Sequence, residues 1–260
     1  MKEQFNLILT AFGFFTRIPI PFNIAFSQDN LNKCNRYFPL VGYFVGGLSA
    51  LVYLSASYFL PESLSILLSM AASILLTGAF HEDGFADVCD AFGGGWTKDK
   101  ILTIMKDSRI GAYGAIGIIL LLLTKYTAIN DLPSDIIALS LITAHVISRF
   151  MAVWTMHSLD YVREDESSKS KPITKSLQSK DLFIALALTI PSLFLLMDFK
   201  VLVIIPILII SKLLLERYFK KWIGGYTGDC LGTIQQTTEL LIYICLVALF
   251  QQSNHFSFFN

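Results

Sequence analysis

The chain is built of long apolar blocks broken by short polar islands. Apolar windows cover about Phe38 to Leu60, Leu64 to Phe80, Ile110 to Ile129, Ile136 to Met156, Leu182 to Met197, Val201 to Leu215, and Leu240 to Phe250 extended into its flanks. A helix needs about 20 such residues to cross the hydrocarbon core of a bilayer. The pattern therefore predicts an all-α, polytopic membrane bundle of about seven transmembrane helices. The last three windows are short for that thickness, and Pro191 and Pro206 interrupt two of them. The N-terminal run Phe5 to Phe15 is too short to span, lacks a small-residue cleavage pattern and leads into Thr16-Arg17-Ile18-Pro19. That combination predicts a retained interfacial or re-entrant segment, not a signal peptide. No internal period or linker marks off a second unit, so residues 1–260 are expected to form one integral-membrane domain. The stretch from Arg163 to Lys180, rich in Ser, Lys and acids, reads as a mobile loop or a lid.

Composition points the same way: 54% of the residues are hydrophobic, 15% are charged, and mean hydropathy is +0.59. A soluble domain of this length carries more charge than that to cover its surface. Net charge is zero, so no basic field points to a nucleic-acid partner. Cys34, Cys89, Cys230 and Cys245 are scattered without metal-ligand spacing, which leaves neither a disulfide framework nor a zinc site. Lys and Arg are distributed unevenly across the expected topology. Seventeen fall on one side, only Lys125 and Lys200 on the other, and Arg149 lies inside a span. The positive-inside rule puts the first side in the cytoplasm.

Three polar islands fall on that side. The first, His81-Glu82-Asp83-Gly84-Phe85-Ala86-Asp87-Val88-Cys89-Asp90, holds four carboxylates within nine residues. If it is helical, Asp83, Asp87 and Asp90 stand at i, i+4 and i+7 on one face. Like charges about 6 Å apart repel by roughly 2–3 kcal/mol at an effective dielectric near 20. A divalent cation reverses that sign, and all-oxygen ligands suit Mg²⁺ or Mn²⁺. A solvated acidic helix face is the plainer alternative. Against it stands Gly84, which weakens a helix by about 1 kcal/mol and commonly marks close approach by a ligand or backbone. The second island pairs Lys106 with Arg109, a point charge beside a planar fork, suited to phosphate oxygens or to ordinary cytoplasmic flanking. Nearby Gly114 and Gly117 fit close helix packing. The third, Gly224-Gly225-Tyr226-Thr227-Gly228-Asp229-Cys230-Leu231-Gly232, reads as a glycine-rich loop whose backbone can approach an anion, with Asp229 as metal ligand or base. Arg149 faces the bundle interior or snorkels to the membrane edge. His145 reads as a hydrogen-bonded core histidine, and His81 as a residue that orients the acidic site. Together the islands describe a diphosphate site at a membrane surface, with phosphoryl transfer as its chemistry.

Thr77 to Asp90, Met105-Lys106-Asp107-Ser108-Arg109-Ile110-Gly111 and Gly225 to Gly232 resemble the cobalamin synthase, or adenosylcobinamide-GDP ribazoletransferase, family. Thr16-Arg17-Ile18-Pro19 and Arg36 to Gly42 fit it too, whereas Leu159 to Leu215 match only loosely. The resemblance implies a Mg²⁺-dependent inner-membrane enzyme that joins adenosylcobinamide-GDP to alpha-ribazole or its 5'-phosphate and releases GMP. It implies that Glu82, Asp83, Asp87 and Asp90 hold Mg²⁺, that Lys106 and Arg109 neutralise phosphate, and that the Asp229 loop closes over substrate. Asp90 is the expected base. Arg17, Arg36, Arg149, Gly225, Thr227 and Gly228 complete the expected binding set. Membrane lipid, other late corrinoid-pathway enzymes and further copies of the chain are compatible partners. The rival readings are a CDP-alcohol phosphotransferase, whose pattern places Ala-Arg shortly after Asp-Gly where this chain has Phe85-Ala86-Asp87, and a cation transporter, which places its acids near the bilayer midplane.

Overall fold

A computed structural model describes residues 2–20, 27–162 and 177–256 of the chain. The expected lid or loop from Arg163 falls largely outside them. Helices α1 (Lys2–Phe15), α2 (Gln28–Cys34), α3 (Phe38–Ser57), α4 (Glu62–Thr77), α5 (Phe80–Gly94) and α6 (Lys98–Ile104) make the first half. The second half is α7 (Ala112–Asn130), α8 (Ser134–Ser158), α9 (Ser179–Thr189), α10 (Ile204–Ile223) and α11 (Gly228–Phe256). There is no β-strand among the described residues, only an isolated bridge between Tyr161 and Tyr226.

The bundle is arranged around α8, which is buried without a break from Thr143 to Val153. A helix apolar on all sides and covered all round is a central post. Helix α3 lies against it at backbone distance, since a Cβ on Gly42 would come within 2.6 Å of the His145 carbonyl and one on Gly46 within 2.7 Å of Ile142 Cα. Outward, α4 exposes Leu64, Leu67, Leu68 and Leu75, and α7 exposes Ile116, Ile119, Leu120 and Leu123. In water such faces would drive aggregation, whereas in a bilayer they are the lipid-facing surface of a multi-pass protein.

Among the described residues, four helical stretches are long and apolar enough to cross: Asp29–Ser57, Ala112–Asn130, Ser134–Ser158 and Gly228–Phe250. The pair α4 and α5 makes a fifth if counted as one bent span. The count of about seven is therefore not confirmed, and the difference lies in the two proline-bearing windows. Helix α9 ends at Thr189 and tightens into a 3₁₀ turn, Ile190–Phe194, at Pro191. Helix α10 keeps its length, because Pro206 sits in the first turn, where a missing amide donor costs nothing. What disqualifies α10 is its charge, with Lys212, Glu216, Arg217, Lys220 and Lys221 along its second half. The N-terminal segment is helical and docked: Leu7, Thr10, Ala11 and Phe15 are buried, and the Phe15 ring stacks 3.9 Å from that of Phe38.

The turn between α4 and α5 decides where the acidic stretch lies. Helix α4 ends at Gly78 with φ 67°, and Ala79 follows with φ 57°. Left-handed backbone is free to glycine and costs alanine about 1–2 kcal/mol, so the second residue shows that the turn is enforced by packing. The chain leaves it at 88° to α4. The acidic stretch is thereby turned out of line with the helix that precedes it.

Candidate active site

The acidic stretch is helical, as its spacing predicts, but its carboxylates meet different surroundings. Asp83 is exposed, while Glu82, Asp87 and Asp90 are half-buried. Glu82 accepts a hydrogen bond from Gln236 Nε2 on α11 at 2.8 Å, and its other oxygen is buried without a partner. Asp90 lies across the start of α7, accepting the Gly111 amide at 2.7 Å on one oxygen and the Gly114 amide at 2.8 Å on the other. A helix N-terminus leaves such amides without intrahelical partners, and a carboxylate there is both cap and counter-charge. Asp90 is therefore a cap for α7. Each of its oxygens thus carries one backbone donor, which fixes the carboxylate at the start of α7.

Gly84 marks close approach by backbone. A Cβ there would lie 2.9 Å from Asp229 Cα, so α5 and the first turn of α11 touch through their main chains. Gly232 completes the crossing against the His81 carbonyl, and Thr233 Oγ1 donates to the Asp229 carbonyl at 3.0 Å. The second half of the glycine-rich island is helix and its first half a loop: α11 begins at Gly228, and Asp229 stands in its first turn. Gly225 serves a neighbour, since Tyr226 N–H donates to the Asp160 carbonyl at 2.9 Å and Val162 N–H to the Tyr226 carbonyl at 3.0 Å, with no room for a side chain at Gly225. Thr227 is buried, within reach of Met105 Sδ at 3.6 Å and of Asp229 Oδ2 at 3.3 Å. Around Gly228 there is open space.

The Thr227–Met105 contact joins the third island to the second. Lys106 and Arg109 lie in the link between α6 and α7, both exposed. Arg109 forks onto Asp107, at 3.0 Å from Nε to Oδ1 and 2.7 Å from Nη2 to Oδ2, and holds that carboxyl down at about 2. At the other end of α5, the Arg17 guanidinium lies against Gly78. The corner thus gathers α5, the 105–111 link, the start of α7 and the start of α11.

Two residues of the expected binding set lie elsewhere. Arg36 is buried in an ion pair with Asp181 at 2.7 Å and also donates to the Lys33 carbonyl. Arg149 is 1% exposed and donates to the His145 carbonyl at 2.9 Å, which settles its position in favour of the bundle interior. His81 is buried and stacked 5.6 Å from the Phe38 ring, with Nε2 unpartnered, so it packs beside the acids without a hydrogen bond to orient them. Gly114 and Gly117 meet α5 at Ala86, Asp90 and Cys89, the helix packing expected of them.

Sequence reasoning missed the largest polar feature. Lys125, read as an outer flanking charge, is buried within α7 and ion-paired to Glu239 at 2.9 Å. His145 Nδ1 lies 3.2 Å from the same carboxylate, and Gln235 Nε2 donates to it at 2.5 Å. Lys212 is likewise internal, 2.7 Å from Glu216 and over the Trp154 ring. The signal was available: a lone lysine close after Leu121, Leu122 and Leu123 calls for an internal partner, and Glu239 stood in another span.

Among the described residues no three His, Cys, Asp or Glu side chains converge as a ready metal cluster. The donors on α5 are nevertheless hard oxygens, Asp83 and Asp87 lie one turn apart, and Glu82 carries an orphaned buried oxygen. Mg²⁺ is commonly bound by one or two carboxylates with substrate phosphates completing its shell, so a pair without a cage fits it.

The profile of the cobalamin-5-phosphate synthase family matches residues 7–247. A protein of Shewanella frigidimarina named adenosylcobinamide-GDP ribazoletransferase is 47% identical over 250 residues, 95% of this chain and 96% of its own. Relatives of the same name from Shewanella pealeana and Shewanella amazonensis are 46% and 41% identical, covering 95% and 97% of this chain and 97% and 98% of their own. No solved structure matches. With nearly its whole length matched, and the acidic helix, the Lys106–Arg109 link and the start of α11 all inside the match, this chain belongs to the cobalamin-5-phosphate synthase family.

Proposed function

We propose that this chain catalyses the step for which its relatives are named, transfer of the adenosylcobinamide-phosphate moiety of adenosylcobinamide-GDP to alpha-ribazole or its 5'-phosphate, with release of GMP. The observation that carries the reading is the corner itself, where an acidic helix, two exposed cations and the open space beside Gly228 at the start of α11 meet. The chain acts as a single unit.

Asp83 and Asp87, with Glu82 behind them, would hold Mg²⁺ against the diphosphate. When bound, the ion supplies charge neutralisation for the substrate phosphates and for the leaving group. Lys106 and Arg109 hold phosphate oxygens, for which Arg109 must leave its fork on Asp107. The ribazole hydroxyl attacks the cobinamide-side phosphorus, forming the new P–O bond as the bond to the bridging oxygen breaks and GMP departs with that oxygen. With Asp90 occupied as a cap, the hydroxyl proton passes to Asp229. Asp90 is a positioning residue in this scheme. The site faces the cytoplasm of a bacterial inner membrane, supported by the charge bias: with α4 and α5 counted as one span and the internal Lys125 and Lys212 set aside, at least sixteen Lys and Arg fall on the side of the site.

Purified protein in detergent should release GMP from adenosylcobinamide-GDP only when ribazole or its phosphate and Mg²⁺ are present. Release of CMP from CDP-alcohols without GMP release would replace this reading with lipid synthesis. Cation flux in liposomes without either activity would replace it with transport.

A further inference from the structure

The buried cluster inside the bundle reaches the acidic helix. Lys125 Nζ donates to Glu239 Oε1 at 2.9 Å and also to Gln236 Oε1 at 2.6 Å. Gln236 Nε2 in turn donates to Glu82 Oε1 at 2.8 Å. The direction of this chain is dictated by chemistry. An ammonium has donors only, so Gln236 must present its oxygen to Lys125, and its amide nitrogen is then left facing Glu82. Lys125 is itself fixed, because Glu239 is gripped by His145 and by Gln235, whose amide also donates to Ser148 on α8 at 3.1 Å. Glu82, Lys125, His145 and Glu239 line one small cavity between the helices. Neither Lys125 nor Gln236 belongs to the exposed corner, and both are at least nine-tenths buried.

We propose that Lys125 and Gln236 are positioning residues: they fix one oxygen of Glu82 and so orient the carboxylate at the inner edge of the acidic helix. Its second oxygen, buried and without a protein partner, is the group so presented. The device couples the acidic helix to α7 and α11, because Gln236 and Glu239 sit on α11 and Lys125 on α7. A buried charge cluster in a span needs a reason, and orienting a neighbouring site is one that the hydrogen bonds themselves supply. The inference rests on the reading of α5 as a cation-holding helix.

The primary test is Gln236→Met, which removes both hydrogen bonds and leaves the Lys125–Glu239 ion pair in place. Mn²⁺ affinity in detergent micelles, read by electron paramagnetic resonance with and without GDP, should weaken at least fivefold. Turnover should fall at least tenfold, with KM for adenosylcobinamide-GDP within twofold. A purely structural role would instead lower the unfolding temperature and leave the Mn²⁺ affinity of the folded fraction unchanged. The second test is a cycle: in a Glu82→Gln background, Gln236→Met should weaken Mn²⁺ binding no further. Independent, additive losses would overturn the proposal. So would Gln236→Met with parental Mn²⁺ affinity and turnover. If Glu82→Gln changes neither quantity while Asp83→Asn abolishes turnover, the cation-holding reading stands and the positioning role is overturned alone.

Discussion

Two groups of acids lie close together in this fold and are treated in opposite ways. Inside the bundle, Glu239 is 2% exposed and ringed by Lys125, His145 and Gln235. At the corner, Asp83 faces solvent, Glu82 keeps one buried oxygen without a partner, and Asp90 has both oxygens accounted for. The interior acid is closed because nothing else could satisfy it, and leaving a buried charge unpaired costs several kcal/mol. The corner acids Asp83 and Glu82 are left partly open, Asp83 to water and Glu82 with one buried oxygen that no described protein group reaches. Asp90 shows what a capping acid looks like within the same helix. The contrast separates charges that hold helices together from charges left available to a ligand.

The contrast breaks most sharply at Asp83 and Asp87. Asp83→Asn or Asp87→Asn should lower kcat about a thousandfold or more, roughly 4 kcal/mol of transition-state stabilisation, with membrane insertion and unfolding temperature unchanged. Near-parental turnover at low Mg²⁺ would reassign both to the solvated surface. The interior should show a loss that the corner does not, one of stability. Lys125→Met strands Glu239 and should cost about 3 kcal/mol of stability, read as a lowered midpoint in thermal or denaturant unfolding in detergent. The double change Lys125→Met with Glu239→Gln removes both charges and should recover part of that loss. A single and a double variant with equal midpoints would mean that the pair is not a structural tie.

Part of this contrast is local and was legible in the sequence. The helical spacing of the acids, the close approach at Gly84, and the packing of Gly114 and Gly117 all follow from local geometry, and the structure agrees. The boundaries of α3, α7 and α8 fall within a few residues of their apolar windows, because length and hydropathy alone decide them. What sequence could not supply was pairing at long separation. Lys125 and Glu239 are 114 positions apart, and Gln236 and Glu82 are 154 apart, so each reads as an isolated polar residue until the helices are assembled. The capping role of Asp90 was hidden for a related reason: its heptad relation to Asp83 is real, but the start of α7, more than 20 positions away, lies over that end of the face. The bend at Gly78 and Ala79 was hidden by the alanine, which carries no left-handed preference.

Asp90 offers the next, smaller break. Asp90→Ala leaves two amides at the start of α7 without their acceptor and should cost about 2 kcal/mol of stability, with Asp90→Asn between the two because one oxygen remains. Turnover of the folded protein should fall less than tenfold. A general base would give the opposite pattern in the Asn variant, with turnover lost about a thousandfold and the unfolding midpoint untouched.

The smallest expected effect tests whether the exposed cations belong to the corner's chemistry or only to its topology. Arg109 is held by Asp107, whose carboxyl stays near 2, so the pair is fully charged at any pH used for assay and contributes no titration to the rate profile. The sign follows from the depressed carboxyl: whatever the pair adds is present above the ordinary Asp range and lost only as pH falls toward 2. A flanking charge is interchangeable between Lys and Arg, whereas a phosphate grip uses the planar fork. Arg109→Lys should therefore lower kcat about tenfold, roughly 1.4 kcal/mol, while a reporter fused to the C-terminus keeps its parental orientation. Asp107→Asn supplies the control, because it frees the fork without removing it and should leave kcat within about twofold or raise it. If Arg109→Lys stays within twofold of the parent, Arg109 is a flanking charge. The phosphate grip then falls to Lys106 and to Arg17 at the Gly78 bend, since Arg36 and Arg149 are both tied inside the fold.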